Sequence, residues 1–263
     1  MKKVDSMHPN PRQIKLLNRL QDSGSCSLEA LASALDVTVQ TVRRDVQRLA
    51  EANLLVRFHG GVRLPNSTIE NIAYRQRAQL HAAEKERIAR AIAREIPNDC
   101  SLLINIGTTT EAIARALSGH TGLRIITNNV NVAYILGRQP GCEVILAGGS
   151  VRARDLAIVG EATVEFIRQF RADIALMGIS GIEADGTLRD YDFREVKVSQ
   201  AIMQSAREVW MAADTSKFHR PAMVRLGELS QIGRLFTNAR PPDPFPGLLK
   251  AAGVDCVIAP ENP

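Results

Sequence analysis

The sequence has few cysteines and no cluster of metal-binding side chains. Its four cysteines are far apart, form no Cys-x-x-Cys pair and have no group of histidines near them: Cys26, Cys100, Cys142 and Cys256. Such spacing is not expected of a zinc site or a disulfide framework. We therefore predict no metal site and interpret the cysteines as small buried residues of a protein in a reducing compartment.

Other signatures are missing as well. No apolar run approaches the roughly 20 residues of a membrane-spanning helix, and no signal-peptide core follows Met1. We expect a cytoplasmic protein with no membrane partner. The Gly-x-Gly-x-x-Gly and Gly-x-x-x-x-Gly-Lys-Ser/Thr patterns of dinucleotide and ATP sites do not occur, so no cofactor is implied.

The positive charge is concentrated near the amino terminus. The net charge of the 263 residues is +5, and residues 1–64 hold ten Lys and Arg against six Asp and Glu. The remaining residues hold 23 basic against 22 acidic side chains. This distribution predicts an amino-terminal domain that meets a polyanion. We place this domain at 1–64, a linker at 65–82 and a second domain at 83–260.

The amino-terminal segment predicts a first helix followed by two short helices joined by a tight turn. Ile14, Leu17 and Leu20 recur at helical spacing in the first helix. Ser27 and Thr38 are placed to cap the second and third helices. This succession is the helix-turn-helix pattern.

The third predicted helix carries a polar face that suits DNA. Its apolar positions 42, 46 and 49 leave hydrogen-bond donors on the other faces: Gln40, Thr41, Arg43, Arg44 and Arg48. Glutamine and arginine suit base edges, and threonine and arginine suit phosphates, so this is the expected recognition helix. The alternative is that the arginines form a solvated helix face, as most charge runs do.

A two-stranded hairpin is predicted after this helix. Alternating residues at 55–58 and 62–64 flank a turn that contains His59 and two glycines. Arg57, His59 and Arg63 are then expected on a wing that follows the DNA phosphates.

The larger part of the chain alternates short apolar runs with helical segments. The runs that we interpret as strands are 102–106, 123–127, 144–147, 174–177, 209–213, 235–237 and 256–259. Strands buried on both faces have this composition, so the predicted fold class is α/β, with a mostly parallel sheet between helices. Ligands of such sheets bind at the carboxyl ends of the strands.

Polar and glycine-rich segments follow the predicted strands. They offer amides at a helix that is expected to begin near Glu111, together with side-chain donors and cations, and these groups suit an anionic polyol. The candidate residues are Gly107, Thr108, Thr109, Thr110, Asn128, Asn129, Gly148, Gly149, Arg152, Ser180, Gly181, Asp214 and Lys217. The alternative is a set of ordinary strand-to-helix turns.

Several longer strings are distinctive. One runs from Leu31 to Gly61 and includes Thr-Val-Arg-Arg-Asp at 41–45; others are IGTTTEAIARAL, LRIITNNVNVA, VILAGGSVRARD and DTSKF. Together they resemble the DeoR family of transcriptional regulators over essentially the whole chain. The resemblance implies a winged helix-turn-helix, a sensor domain with a fold related to ribose-5-phosphate isomerase, and repression of carbohydrate or glycerol catabolism genes. It also implies that a phosphorylated sugar or polyol relieves repression, with glycerol 3-phosphate as the expected effector.

A sugar-phosphate isomerase is the competing interpretation. Glu195, Lys197 and Lys217 are side chains of the types that move a proton beside a carbonyl and stabilise an enediolate. Where the resembled isomerases have acidic residues after the fourth strand, however, this chain has Ile-Ser-Gly at 179–181. We therefore predict no enzyme and assign the three side chains to effector binding, with surface ion pairs as the alternative.

The expected partners are operator DNA, a phosphorylated small-molecule effector and further copies of the chain. Operators with two-fold symmetry require a symmetric protein, so we expect a homodimer or homotetramer whose recognition helices enter successive major grooves.

Overall fold

The computed structural model describes residues 9–23, 25–52, 54–58, 61–64 and 74–261. The chain divides into two compact units, residues 1–81 and 82–263. The first unit contains the predicted DNA-binding segment, and the second contains the predicted sensor.

The described part of the first unit is helical with a small sheet. Its helices are α1 (Pro11–Ser23), α2 (Leu28–Leu35), α3 (Val39–Glu51) and α4 (Tyr74–Gln79), and its strands are β1 (Ser25–Cys26), β2 (Val56–Phe58) and β3 (Gly61–Arg63). Ser27 Oγ accepts from the Ala30 amide and Thr38 Oγ1 from the Thr41 amide, which confirms both predicted caps. Asp36 ends α2, and its φ of 51° permits the tight turn to α3.

The predicted two-stranded hairpin is part of a three-stranded sheet with the order β1-β3-β2. Strand β1 has only two residues, too few to show an alternating pattern. A Cβ at Gly61 would overlap the carbonyl of Cys26, so the pairing of β1 with β3 requires glycine there. His59 lies outside the described residues, as does most of the predicted linker (65–73), whereas α4 lies within the linker's described part.

The second unit alternates strands and helices. Its elements are α5 (Ala82–Glu95), β4 (Ser101–Ile104), α6 (Thr108–Ala116), β5 (Leu123–Thr127), α7 (Val130–Leu136), β6 (Cys142–Leu146), β7 (Ser150–Arg152), β8 (Ala157–Val159), α8 (Glu161–Ile167), β9 (Ala172–Gly178), β10 (Gly181–Ile182), β11 (Thr187–Asp190), α9 (Phe193–Gln204), β12 (Ala206–Ala212), β13 (Val224–Glu228), β14 (Arg234–Thr237), α10 (Phe245–Ala252) and β15 (Asp255–Ile258).

One seven-stranded sheet dominates this unit, in the order β15-β14-β12-β9-β4-β5-β6. All of its pairings are parallel, which confirms the predicted α/β class. Side chains of β4 alternate between two apolar clusters, with Leu102 and Ile104 on the side of α5, α6 and α7 and Leu103 on the side of α8, α9 and α10. The sheet therefore has a buried core on each face.

Several predicted bounds and burials were wrong. Strand β4 ends at Ile104 instead of 106 because Asn105 Oδ1 accepts from the Ile106 amide and turns the chain. Helix α6 begins at Thr108, three residues before Glu111. All four cysteines are free thiols, but only Cys100 is buried, and the other three are half-buried.

The short antiparallel pairs β7-β8 and β10-β11-β13 were not predicted. Within the described ranges, no helix is both long enough and apolar enough to cross a bilayer.

Candidate functional site

Helix α3 presents a polar face as predicted. Val42, Val46 and Leu49 are buried, whereas the side chains that helical spacing places on the opposite face are exposed: Gln40, Arg43, Arg44, Gln47 and Arg48. Gln40, Arg44 and Gln47 follow one another at intervals of four and three residues along the centre of that face. Gln47, which the sequence analysis did not select, donates to Glu51 at 3.1 Å.

Thr41 belongs to the cap of α3. Its hydroxyl lies 2.9 Å from the Thr38 hydroxyl, and its amide donates to Thr38 Oγ1 at 3.2 Å. The side chain is half-buried, so it is held at the helix start while the neighbouring arginines are free to extend.

A buried carboxylate on α3 was missed. Asp45 is 2% exposed and accepts from Arg12 Nε at 2.6 Å and Gln13 Nε2 at 2.9 Å. These contacts join α3 to α1, and the hydrogen bond and charge of Asp45 raise the pKa of the Arg12 guanidinium. The position of Asp45 among Val42, Val46 and Leu49 on the apolar face was the signal that would have identified it.

The small sheet carries part of the predicted wing. Arg57 on β2 is exposed and Arg63 on β3 is half-buried, while Val62, which pairs with Arg57, is buried. Val56 and Phe58 on β2 are also exposed, at 39% and 45%. The wing therefore presents a cation and apolar side chains on one strand.

The order in which strands are added to the sheet of the second unit reverses between β4 and β9. These strands are neighbours, but β5 and β6 follow on one side of them and β12, β14 and β15 on the other. In doubly wound sheets a ligand binds in the crevice outside the carboxyl ends of the strands at such a reversal. Residues 105–110 and 179–181 follow the two strands at this point.

Helix α6 begins at this crevice with a glycine. Gly107 is its N-cap residue and has a φ of 141°, a conformation that residues with a Cβ rarely adopt. Thr108, Thr109 and Thr110 form the first helical turn, whose amides have no partner within the helix and carry the positive end of its dipole. Thr110 Oγ1 donates to the Gly107 carbonyl at 2.8 Å. This arrangement suits an anion.

The residues that end β5 differ in how far their hydrogen bonds are satisfied. Thr127 Oγ1 donates to the Ile104 carbonyl at 2.6 Å. Asn129 Oδ1 caps α7, and its Nδ2 donates to Glu111 at 3.3 Å. Asn128 is fully buried and its Nδ2 donates to the Ile158 carbonyl at 3.1 Å, but its Oδ1 has no hydrogen-bond partner in the described part of the chain.

Arg152 is surrounded by carboxylates. Its guanidinium lies within 2.7–2.8 Å of Asp155, Asp192 and Glu195, and its side chain is only 15% exposed. Burial by itself lowers the pKa of Arg152, but the hydrogen bonds and charges of Asp155 and Glu195 outweigh it and raise the pKa. Because Asp192 is the N-cap of α9, Arg152 joins the β7-β8 hairpin to that helix. The hydrogen bonds to these carboxylates use four of the five guanidinium N–H groups.

Glycines and a serine at the ends of β6 and β9 allow close packing. Gly149 has a φ of 145°, and a Cβ there would overlap Thr163 Oγ1, which donates to the Gly148 carbonyl at 3.0 Å. A Cβ at Gly181 would overlap the Arg220 carbonyl. Ser180 Oγ donates to Asp190 at 2.9 Å.

The end of β12 supplies a cation beside a buried carboxylate. Asp214 is 1% exposed and its Oδ1 accepts from the Ser216 amide at 3.0 Å and from the Ser216 hydroxyl. Lys217 Nζ lies 4.0 Å from Asp214 Oδ2, and the lysine side chain is 13% exposed. Lys197 instead forms an exposed ion pair with Glu161 at 2.8 Å, which is the alternative role named for it above.

An open groove of about 610 Å³ lies at the opposite, amino-terminal edge of the sheet. Asp99, Cys100, Arg124, Cys142 and Asp173 are among its lining residues. It contains none of the candidate residues, and no cluster of metal-binding side chains occurs in the described ranges. Burial raises the pKa of the Cys100 thiol to about 11, which keeps the thiol protonated. The groove therefore does not coincide with the predicted site.

Comparison with known proteins covers both units. A family model of the DeoR-like helix-turn-helix domain matches residues 12–68, and one of the DeoR C terminal sensor domain matches residues 80–239. The glycerol-3-phosphate regulon repressor of Haemophilus influenzae is 49% identical over 235 residues, which are 89% of this chain and 91% of that protein. The protein of the same description from Escherichia coli is 45% identical over 236 residues, with 90% and 93% covered.

Solved structures show a more distant likeness. Ribose 5-phosphate isomerase A from Methanocaldococcus jannaschii is 14% identical with a TM-score of 0.38, over 52% of this chain and 55% of that chain. The translation initiation factor eIF-2B of Pyrococcus horikoshii is 15% identical with a TM-score of 0.43, over 85% and 86%.

Proposed function

The chain belongs to the DeoR family of transcriptional regulators, and we propose that it is a repressor that releases operator DNA when a phosphorylated polyol binds its second unit. We infer glycerol 3-phosphate as the effector, and carbohydrate or glycerol catabolism genes as the targets, because relatives at 49% and 45% identity are named for the glycerol-3-phosphate regulon. The observation that carries the effector site is the glycine-opened start of α6 at the β4–β9 crevice. The cytoplasm, where operator DNA is found, is the proposed location.

Helix α3 is the proposed recognition element. Gln40 and Arg44 on the centre of its exposed face suit base edges in the major groove, and Arg43 and Arg48 on its flanks suit phosphates. Asp45 supports this role by fixing α3 to α1 through two hydrogen bonds. The wing arginines add sequence-independent affinity.

Operator binding by alanine variants tests this assignment. Arg44→Ala is expected to cost about 1–3 kcal/mol on the operator and to relax specificity at one base pair, whereas Arg48→Ala weakens binding to all sequences alike. Arg168→Ala removes an exposed arginine of the second unit and is the charge-matched control. Unchanged operator binding after Arg43→Ala and Arg44→Ala together would remove α3 from the interface.

The start of α6 is the proposed phosphate site. Amides of its first turn and the hydroxyl of Thr109 are donors at the positive end of the helix dipole, and no hydrogen bond of the Thr109 side chain occurs within the described residues. Lys217 supplies a positive charge at the end of β12. The glycines at 148, 149 and 181, with Asn128, Asn129, Arg152, Ser180, Glu195 and Asp214, complete the proposed surroundings.

A thermal-shift titration tests the effector. Glycerol 3-phosphate is expected to raise the melting temperature, whereas free glycerol is not. Thr109→Val is expected to weaken the affinity for glycerol 3-phosphate about tenfold, because a buried donor is lost. Thr121→Val, at an exposed threonine beside the amino end of β5, is the matched control. Turnover of ribose 5-phosphate would instead support an isomerase.

Repression and effector binding must be coupled. We propose a homodimer or homotetramer in which effector binding alters the spacing of paired recognition helices. Thermodynamic reciprocity then requires operator DNA to weaken effector binding by the same factor. Light scattering that shows a monomer on and off DNA, or calorimetry that shows equal effector affinity with and without operator, would contradict this mechanism.

A further inference from the structure

The carboxyl end of β5 holds a buried acceptor that no donor satisfies. Asn128 has 0% exposure, and its Nδ2 donates to the Ile158 carbonyl, which fixes the amide so that Oδ1 is the atom left over. Oδ1 has no hydrogen-bond partner within the described residues. Buried polar atoms of this kind are uncommon in folded proteins, and a bound molecule is one source of the missing partner.

Neighbouring polar side chains do not share this property. Thr127 Oγ1 donates to the Ile104 carbonyl, and Asn129 Oδ1 accepts from the amides that begin α7. Asn105, at the end of the adjacent strand, donates to Ser199 at 2.9 Å and accepts from the Ile106 amide at 2.7 Å. Of Asn105, Asn128 and Asn129, only Asn128 has a side-chain oxygen without a hydrogen-bond partner in the described part of the chain.

The backbone holds Asn128 in place beside the proposed phosphate site. Its carbonyl accepts from the Ile158 amide at 2.8 Å, so strand β8 fixes both its main chain and its side chain. Thr127 pairs with Ile104 in register, which places Asn128 one residue beyond the end of β5, next to the segment that leads from β4 to Gly107. A ligand whose phosphate binds at the start of α6 would have its other end near this acceptor.

We propose that Asn128 Oδ1 accepts a hydrogen bond from a hydroxyl of the effector and thereby selects polyol phosphates over phosphates that carry a carbonyl or a methylene group at that position. This inference rests on the proposed function above. A hydroxyl can donate, whereas a carbonyl oxygen and a methylene group cannot. Oδ1 is covered in this structure, so a ligand hydroxyl reaches it only when the surrounding residues move apart. The bond then forms away from water, where a missing donor is most costly.

Three ligands and one variant test the assignment by calorimetry. The ligands are glycerol 3-phosphate, the monophosphate of propane-1,3-diol, which lacks the central hydroxyl, and propane-1,2-diol 1-phosphate, which lacks the terminal one. Wild-type protein is expected to bind at least one deoxy ligand about tenfold more weakly than glycerol 3-phosphate. In Asn128→Leu, whose side chain has a similar shape but no acceptor, the ratio of the affinity for glycerol 3-phosphate to the affinity for that deoxy ligand is expected to fall to about one.

The ratio separates recognition from a structural role. If Asn128 only supports the fold, the variant weakens all three ligands equally and the wild-type ratio persists, which overturns the inference. Equal wild-type affinity for all three ligands overturns it as well, whether or not the variant folds. If none of the three phosphates binds the wild type, the proposed function itself falls.

Discussion

Removal of the Arg152 guanidinium is expected to destabilise the second unit strongly. Asp155, Asp192 and Glu195 would lose their shared partner, and their side chains are only 4%, 25% and 13% exposed. Breaking a buried ion pair from one side costs about 3–5 kcal/mol, because an uncompensated charge remains in a poorly solvated place. Asp192 is the most exposed of the three, so we expect a loss of about 3 kcal/mol for Arg152→Ala.

Tryptophan fluorescence during urea unfolding measures this loss selectively. The chain contains one tryptophan, Trp210, which is 5% exposed on β12 of the second unit. Its emission therefore reports on the unit that contains Arg152. The free energy of unfolding is obtained by linear extrapolation to water for the wild type and the variant.

Arg154→Ala is the matched control. It removes an arginine from the same hairpin that also contacts Asp192, at 2.9 Å, but its side chain is 54% exposed. An exposed pair contributes less than about 1 kcal/mol. Similar losses for the two variants would refute the argument, because they would show that burial does not determine the contribution of these charges.

Two further predictions concern Asp45 and Asp192. Asp45→Ala is expected to destabilise the first unit by about 1–3 kcal/mol, because Gln13 loses its acceptor, and to weaken operator binding without changing the Trp210 transition. Glu29→Ala, at an exposed position on α2, is the control. Operator binding by Asp45→Ala at wild-type affinity would contradict the prediction. Burial by itself raises the pKa of Asp192, but the charge of Arg152 and the α9 amides outweigh it and lower the pKa below 3.8. The ionised Asp192 therefore contributes to stability above pH 3.8, and this contribution is lost as the pH falls below that value. Asp192→Asn keeps the cap but does not titrate, so urea unfolding of this variant is expected to depend less on pH in that range; an equal dependence would contradict the assignment.

Local sequence patterns predicted most of the fold. The caps at Ser27 and Thr38 and the apolar spacing of α3 involve residues within a few positions of each other, so the amino-acid sequence contains all the information they need. The runs that became β4, β5 and β9 were recognised because parallel strands buried on both faces are continuously apolar. The two-residue strand β1 had no pattern to recognise.

Contacts between distant positions could not be predicted. Arg87 on α5 donates to the carbonyls of Asn238 and Ala259, which are 151 and 172 residues away, and nothing in its neighbourhood indicates this role. Arg152 was selected as a cation for the effector, and only the fold shows that α9 brings Asp192 and Glu195 to it. Lys197 was selected in the comparison with sugar-phosphate isomerases, and its partner Glu161 lies on a different helix.

The sequence by itself determined that polar residues collect at the carboxyl edge of a parallel sheet, because each segment follows its own strand directly along the chain. It also determined the polar face of α3. Only the tertiary structure decided which of these groups already have partners, because hydrogen bonds and ion pairs depend on distances between elements. That distinction separates Asn129, whose hydrogen bonds are used within the fold, from Asn128, which has an acceptor to offer.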